Sequence, residues 1–576
     1  MIRKVIRKVD IWLIFSAFSI VVLLPQINQH SIILGGDSLF HLNRFYDTMM
    51  QIKEGNFQYF VSMYGFSESG RIVNALYGPY LAYINGLIML LTSSWFKYQI
   101  VSDFFVNFIG CIAMYYLLRS NQVKKSYSIW ISLLYVTTYA INAWIISQQF
   151  LAWGAALLPL GVAAGTRMIR DKNNPVKKLE LTLVVTVIIQ THVLTSLFLI
   201  IILLFFFCWS FIITNSKKQL IVGTISSAIF TIFLTSNVWG ALIEVYGSNS
   251  LLAPFQNMDP YNNGTISLAL DNSQFSIAIA ILFLFQIIFI FYKKSNISVL
   301  NKGVTIVGLI LLISSTKLLS WNYIFDRIPL ISTIQFPYRL LTPATIMLLL
   351  GLGLTLTEVT RNKKNKSSEM YIILLAIFSL LNMLVVIDKV SIKSHIWQTN
   401  EVVASKGNVI QLLRGQKLRE AFSNFKEGTT LKYVYKPTPD YVPLPDKHDR
   451  PQKPYHEYDI KIAKQSKGIQ KKIRDRKLVI SWYSTSSEWR RINVVKYSHT
   501  QLKLNGTKIN SKDYKLSNIG TLSIHSEKGK NELSLSYEPS KWFEILQKIN
   551  YISWLVLFIF IIKKCFTRLN KKSLKE

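Results

Sequence analysis

Long apolar runs recur along almost the whole chain, and nothing else in the sequence constrains its fold as tightly. Most are close to the ~20 residues an α-helix needs to cross ~30 Å of hydrocarbon. In lipid every backbone N–H and C=O must be satisfied within the segment, which leaves helices for such runs. Thirteen stretches stand out: roughly 11–27, 75–93, 99–118, 128–147, 150–168, 179–193, 194–214, 219–239, 274–292, 303–318, 337–357, 369–387 and 549–563. The first is expected to remain as an anchor. Asn28, Gln29 and His30 follow it, not the small residues of a cleavage site.

Half of the 576 residues are hydrophobic, yet the net charge is +34. In a soluble chain that charge would point to nucleic acid. Here the basic residues gather at the ends of apolar runs and near the C-terminus, which speaks for membrane topology, membrane lipid and an anionic envelope polymer instead, with no nucleic-acid partner. No zinc-type Cys/His spacing and no phosphate-cradling glycine loop occurs. Cys111, Cys208 and Cys565 all fall outside 388–548, so that region is expected to be free of disulfides.

Basic clusters mark the cytoplasmic side. They include Arg3, Lys4, Arg7 and Lys8; Arg119, Lys124 and Lys125; Arg167 and Arg170; Lys217 and Lys218; Lys293 and Lys294; Lys363 and Lys364; and Lys563 and Lys564. Thirteen crossings cannot place both basic termini inside. The stretch 75–93 carries Gly78, Pro79, Asn85 and Gly86 and is expected to lie in or dip into the outer interface. Twelve crossings follow, in a cell-membrane protein with both termini cytoplasmic. The expected organisation is a transmembrane domain over 1–387 with a long first external loop (28–98), an extracellular β-rich domain over 388–548, and a last helix with a basic tail over 549–576.

Region 388–548 holds 31 Lys and Arg against 16 Asp and Glu, which is either a lysine-rich solvated surface or a cradle for an anionic envelope polymer or lipid headgroups. Alternating segments at Lys477–Tyr483, Arg491–Tyr497, Leu502–Leu504, Thr521–His525 and Leu533–Tyr537 read as half-buried strands. Asn505-Gly506 is a two-residue hairpin signal. A helix is expected near Asn408–Phe425.

Three stretches could carry chemistry. In Gly35-Gly36-Asp37-Ser38-Leu39-Phe40-His41-Leu42-Asn43-Arg44, a helix would put Asp37, His41 and Arg44 on one face at the membrane boundary. A carboxylate there can act as general base toward a hydroxyl, and an arginine can grip a phosphate. The bland alternative is an Asp N-cap among interfacial polar residues. His192 lies in a polar cluster, Gln190-Thr191-His192, at the end of an apolar run; it faces either a cavity or a helix–helix hydrogen-bond cluster. Gln335-Phe336-Pro337-Tyr338-Arg339 opens another run, and Arg339 is either a phosphate contact or a snorkelling anchor.

At these residues, with Asp440-Tyr441-Val442-Pro443, the chain resembles the GT-C glycosyltransferase superfamily. More narrowly, it resembles bacterial membrane proteins labelled "6-pyruvoyl-tetrahydropterin synthase-related", similar to the YfhO-type proteins. The resemblance implies a polyprenyl-phosphate sugar donor, transfer on the external face, Asp37 as the essential acid, and His41, Arg44, His192, Gln335, Tyr338 and Arg339 as substrate contacts. It also raises a divalent metal, but Gln148 and Gln149 stand in the second external turn in place of paired acids. A non-catalytic protein that binds, transports or scaffolds lipid-linked envelope intermediates stays open beside the enzyme.

Overall fold

The computed structural model describes residues 10–266, 274–292, 297–361, 365–405, 407–425, 429–464 and 466–573. The basic residues Arg3, Lys4, Arg7, Lys8, Lys293, Lys294, Lys363 and Lys364 lie outside these. The chain is mostly helical, with a β-rich region near its C-terminal end.

Among the described residues, eight helices are long and apolar enough to cross a membrane: Ile11–Asn28, Trp95–Ser120, Leu151–Arg170, Val193–Ile213, Lys217–Leu234, Pro337–Val359, Ser368–Gln398 and Lys541–Lys564. A ninth arises if Lys125–Val136 and Tyr139–Ser147, bent by 40°, count as one span. The sequence reading of 128–147 as one continuous run misses that bend. Thr137 and Thr138 turn their hydroxyls back onto the carbonyls of Leu134 and Tyr135, and Asn382 donates to the Thr137 hydroxyl at 2.8 Å, so the break is satisfied by side chains. Pro79–Thr92, Ile277–Tyr292 and Val299–Ser314 are shorter apolar helices. Pro79–Thr92 has 14 residues, about 21 Å at ~1.5 Å per residue, well short of the hydrocarbon thickness. It starts after Gly78, whose φ is +81°. A Cβ there would lie 2.7 Å from the carbonyl oxygen of Gln190, so only glycine fits.

Among the described residues, ten strands occupy the C-terminal half. β1 (Ile410–Gln411) pairs with β2 (Val434–Tyr435). The helix expected near Asn408–Phe425 is shorter than the sequence suggests: it spans Gly415–Ser423, preceded by β1. Beyond it, β3 (Ile469–Arg474), β4 (Lys477–Ser484), β10 (Gly529–Tyr537), β6 (Thr500–Leu504) and β7 (Thr507–Lys508) form one antiparallel sheet in that order. β5 (Glu488–Val495), β9 (Thr521–Ser526) and β8 (Tyr514–Leu516) form the other. Alternate residues point inward, Leu478, Ile480 and Trp482 on β4 and Leu533 and Leu535 on β10, and meet Ile492, Leu522 and Ile524 in one core. Asn505 and Gly506 both have positive φ, 49° and 84°, at the β6–β7 tip, the backbone that a primed two-residue turn demands.

The first loop is part of this second core. Phe60, Val61, Met63 and Ile72 pack with the sandwich residues, and the N–H of Val495 bonds to the carbonyl of Ser69 at 2.8 Å. One segment of the N-terminal region is thereby built into the C-terminal one.

Candidate functional site

The helix Ser38–Glu54 carries the first group of candidates. Its start is fixed by close backbone contact. A Cβ on Gly35 would lie 2.6 Å from the carbonyl oxygen of Ile146, so the chain needs glycine to approach the end of the Tyr139–Ser147 helix. Asp37 N–H donates to Ser147 O at 3.0 Å, and Gln148 Oε1 accepts from Gly35 N–H and from the Ser38 hydroxyl.

Asp37 occupies the N-cap position, but its side chain makes no capping bond. The carboxylate is half-exposed. Lys436 Nζ lies 3.5 Å from it and donates to Gly36 O at 2.6 Å. Asp440 stands in the same electrostatic neighbourhood. Desolvation pushes its carboxyl up to about 6; Arg71 opposes that rise, the charge of Asp37 adds to it and Lys436 opposes it.

His41 and Arg44 are buried on the same helix. The Arg44 guanidinium lies 4.3 Å from the ring of Tyr77 and 4.6 Å from that of Phe150. Its Nε donates to Asn74 Oδ1 at 2.9 Å and its Nη1 lies 3.2 Å from His41 Nδ1, while Nη2 has no hydrogen-bond partner. Among the described residues no carboxylate comes within ion-pair distance of it. Burial lowers its pKa to about 10, which leaves it charged at neutral pH. Burial, and then Arg44, hold the His41 imidazole well below its ordinary value, so it is neutral.

Phe150 joins this group to His192. Its ring stacks on His41 at 4.9 Å and meets His192 edge-on at 6.1 Å. His192 Nδ1 accepts from Thr195 N–H at 3.2 Å and lies 2.8 Å from its hydroxyl, so the residue also caps the helix Val193–Ile213. Its neighbour Gln190 is spent on helix–helix bonds to Asn237 and Leu234. Arg339 is within electrostatic range of His192, and Tyr338 of Asp37. Arg339 is half-exposed; it lies 5.1 Å from the Phe336 ring and donates to Ile334 O at 3.0 Å and Gln335 Oε1 at 2.8 Å. Gln335, at φ +60°, in turn donates to Phe255 O. The Tyr338 ring packs edge-on against Tyr139 at 5.8 Å. The three stretches thus converge on one neighbourhood, with Gln335 as the partner of Arg339.

Sequence reasoning missed Phe150, Tyr77, Asn74, Lys436 and Arg71, and gave Asp440 no role. None carries a local signal. Aromatics in apolar runs read as core, and Lys436 is one lysine of many. Only the Asp440-Tyr441-Val442-Pro443 segment stood out, through resemblance.

The residues present do not fit a metal. Among the described residues no group of three His, Cys, Asp or Glu side chains gathers around a common point. The Lys436 ammonium stands against Asp37, where a cation would have to sit. Gln148 Oε1 already accepts two bonds, from Gly35 and Ser38, and Gln149 Oε1 accepts from Tyr139.

Fold and site together define a multi-pass helical membrane protein with a polar, arginine-bearing site where the first loop, the bundle and the C-terminal region meet. No family model matches the chain, and no curated protein matches it. Among solved structures it is similar to the oligosaccharyltransferase of Archaeoglobus fulgidus in its apo form, at 12% identity and a TM-score of 0.32 over 72% of this chain. The match spans 59% of that protein's length. A likeness at that score assigns neither fold nor activity.

Proposed function

We propose that the chain is a membrane glycosyltransferase of the GT-C kind, moving a sugar from a polyprenyl-phosphate carrier to a cell-envelope acceptor on the external face. The observation that carries this is Asp37. It is a half-exposed carboxylate at a helix start, not spent on capping that helix, with the Lys436 ammonium 3.5 Å away. A sugar hydroxyl is a weak nucleophile, and a positioned carboxylate can orient or deprotonate it, an effect of ~10²–10⁴ in rate. Arg339 is half-exposed and has no carboxylate within ion-pair distance among the described residues, which suits the donor's phosphate. Arg44, wholly buried on the same helix, bonds His41 and adds positive potential beneath the site.

The second reading is a protein that binds or scaffolds lipid-linked intermediates without catalysis. The Lys436–Asp37 contact favours it, because the ammonium stands 3.5 Å from the carboxylate oxygen that an acceptor hydroxyl would have to reach. Asp37→Asn decides between the two. The side chain makes no capping bond, so folding and insertion should be unchanged while transfer is abolished. Envelope glycan composition equal to the parent's, in a background where deletion of the protein alters it, overturns the enzyme reading.

A further inference from the structure

The helix Trp95–Ser120, one of the eight long and apolar enough to cross a membrane, carries an acid on its buried face. Asp103 lies about 12 Å along that helix at ~1.5 Å per residue and is wholly buried. Neither of its carboxylate oxygens has a hydrogen-bond partner, and among the described residues no Lys, Arg or His side chain pairs with it. One turn further along the same face, Asn107 is buried with neither atom of its amide bonded. A bare carboxylate at such a depth is among the costliest groups a membrane-spanning helix can hold, and it marks a place where an ion or a proton binds.

Asp103 lines a cavity. Ser102 stands beside it on the same helix, Ser38 and His41 close the cavity from the helix Ser38–Glu54, and Trp144 and Gln148 close it from the end of the Tyr139–Ser147 helix. It has room for the centre of about one water-sized particle, 10 Å³, and so admits neither a sugar nor a lipid chain. The other polar groups on its wall are bonded. Trp144 Nε1 donates to Ser102 Oγ at 2.7 Å, the Ser38 hydroxyl donates to Gln148 Oε1, and the Tyr98 hydroxyl donates to Asn85 Oδ1 at 3.0 Å. Both serine oxygens keep a lone pair beyond those bonds. The charged and titratable groups that face Asp103 are His41 and Tyr98 and, behind His41, the Arg44 guanidinium, 3.2 Å from Nδ1.

We infer that Asp103 binds one small monovalent cation, a sodium ion or a proton, in this cavity. The carboxylate supplies the charge. The Ser38 and Ser102 oxygens supply the further lone pairs that a hard cation takes, or the acceptor that a protonated carboxyl needs. His41 is not a ligand: its Nδ1 accepts from Arg44, so the outer nitrogen of the neutral ring bears the hydrogen. A single positive charge is what the place admits, because Arg44 already stands on its far side and a divalent ion would leave a large uncompensated excess in a medium that screens poorly. The site is separate from the Asp37 carboxylate and does not depend on sugar transfer. Its consequence is mechanical. A cation shared by Asp103 and Ser38 ties the start of the Ser38–Glu54 helix, one residue past Asp37, to the Trp95–Ser120 span.

The test uses the full-length protein in lipid nanodiscs at neutral pH, with either N-methylglucamine chloride or sodium chloride as the only salt, at equal ionic strength. Infrared difference spectra between the parent and Asp103→Asn isolate the vibration of this one carboxyl. A carboxylate stretch that shifts when sodium replaces N-methylglucamine identifies the sodium ion. The unfolding temperature should then rise with sodium concentration in the parent and stay flat in Asp103→Asn. The carbonyl stretch of a protonated carboxyl, the same in both salts, identifies the proton. A carboxylate stretch unmoved by sodium overturns the site, because Asp103 is then ionised with no bound cation and balances Arg44 from a distance. Ser102→Ala serves where Asp103→Asn fails to insert. It removes one oxygen from the cavity and should raise the sodium concentration for half of the stabilisation several-fold, or shift the protonated carbonyl stretch. A parental response in both measurements overturns the proposal.

Discussion

Nη1 of Arg44 lies 3.2 Å from Nδ1 of His41. An arginine can only donate, so the imidazole accepts at that nitrogen and carries no proton there. One buried guanidinium therefore sets the tautomer of its neighbour, bonds Asn74 through Nε and lies against the rings of Tyr77 and Phe150.

Arg44→Lys follows directly from that geometry. A lysine has one donor centre in place of a fork and cannot reach both Asn74 Oδ1 and His41 Nδ1. Losing a buried charge-assisted bond costs on the order of 1–3 kcal/mol. Thermal unfolding of the purified protein in detergent should show that loss, and a variant as stable as the parent contradicts the described site.

Gly35→Ala tests the placement of Asp37. The added methyl meets backbone at Ile146 and Ser147, which cannot swing aside as a side chain can. The start of the Ser38–Glu54 helix should shift and glycan transfer should fall at least tenfold, since a displacement of about 1 Å can cost ~10²-fold in rate. Membrane levels of the variant should stay normal. Unchanged transfer counts against the described placement.

Asp47 gives a pH signature. It is buried and accepts from the N–H groups of Tyr64 and Gly65 and from Gln51. Burial outweighs those bonds and raises its carboxyl from 3.8 to about 6. The folded state thus holds this proton more tightly than the unfolded chain. The associated stability is complete below the unfolded value and is lost as pH rises through the window from about 4 to about 6. Asp47→Asn keeps an acceptor for the two N–H groups and cannot titrate. Its melting temperature should fall less than the parent's between those pH values; parallel curves would refute the assignment.

Lys471→Met tests the brace on the first loop. Phe66, Ser67 and Glu68 all have positive φ, 52°, 60° and 52°, a turn without glycine. Lys471 Nζ donates to the carbonyls of Ser67, Glu68 and Asn493 at 2.8, 2.9 and 3.0 Å. Methionine fills the space without the donors, at a cost on the order of 3 kcal/mol. Limited proteolysis should cut near 65–69 faster in the variant, and an unchanged cleavage rate would show that the turn holds without this lysine.

The topology has its own test. Twelve crossings with 388–548 outside would put Ser466 at the outer surface. In a protein with Cys111, Cys208 and Cys565 changed to serine, Ser466→Cys should react with a membrane-impermeant thiol reagent in intact cells. Reaction only after permeabilisation reverses the orientation.

Apolar run length, period-two alternation and turn chemistry are local, and those features are legible in the sequence. The helices of the bundle, the β4, β6, β9 and β10 strands and the Asn505-Gly506 tip all follow from residues within a few positions of one another. The face shared by Asp37, His41 and Arg44 is equally local, because helical spacing sets it. Other features depend on partners far along the chain. Phe150 between His41 and His192, Lys436 against Asp37, and Arg71 clamping the backbone of Thr438 and Asp440 join segments up to 400 residues apart. No periodicity encodes such pairs. The sequence by itself determined a membrane-embedded helical chain with a sandwich near its end. Only the tertiary structure decided which acids and arginines meet, because burying the first loop in the sandwich core is what draws the distant loops together.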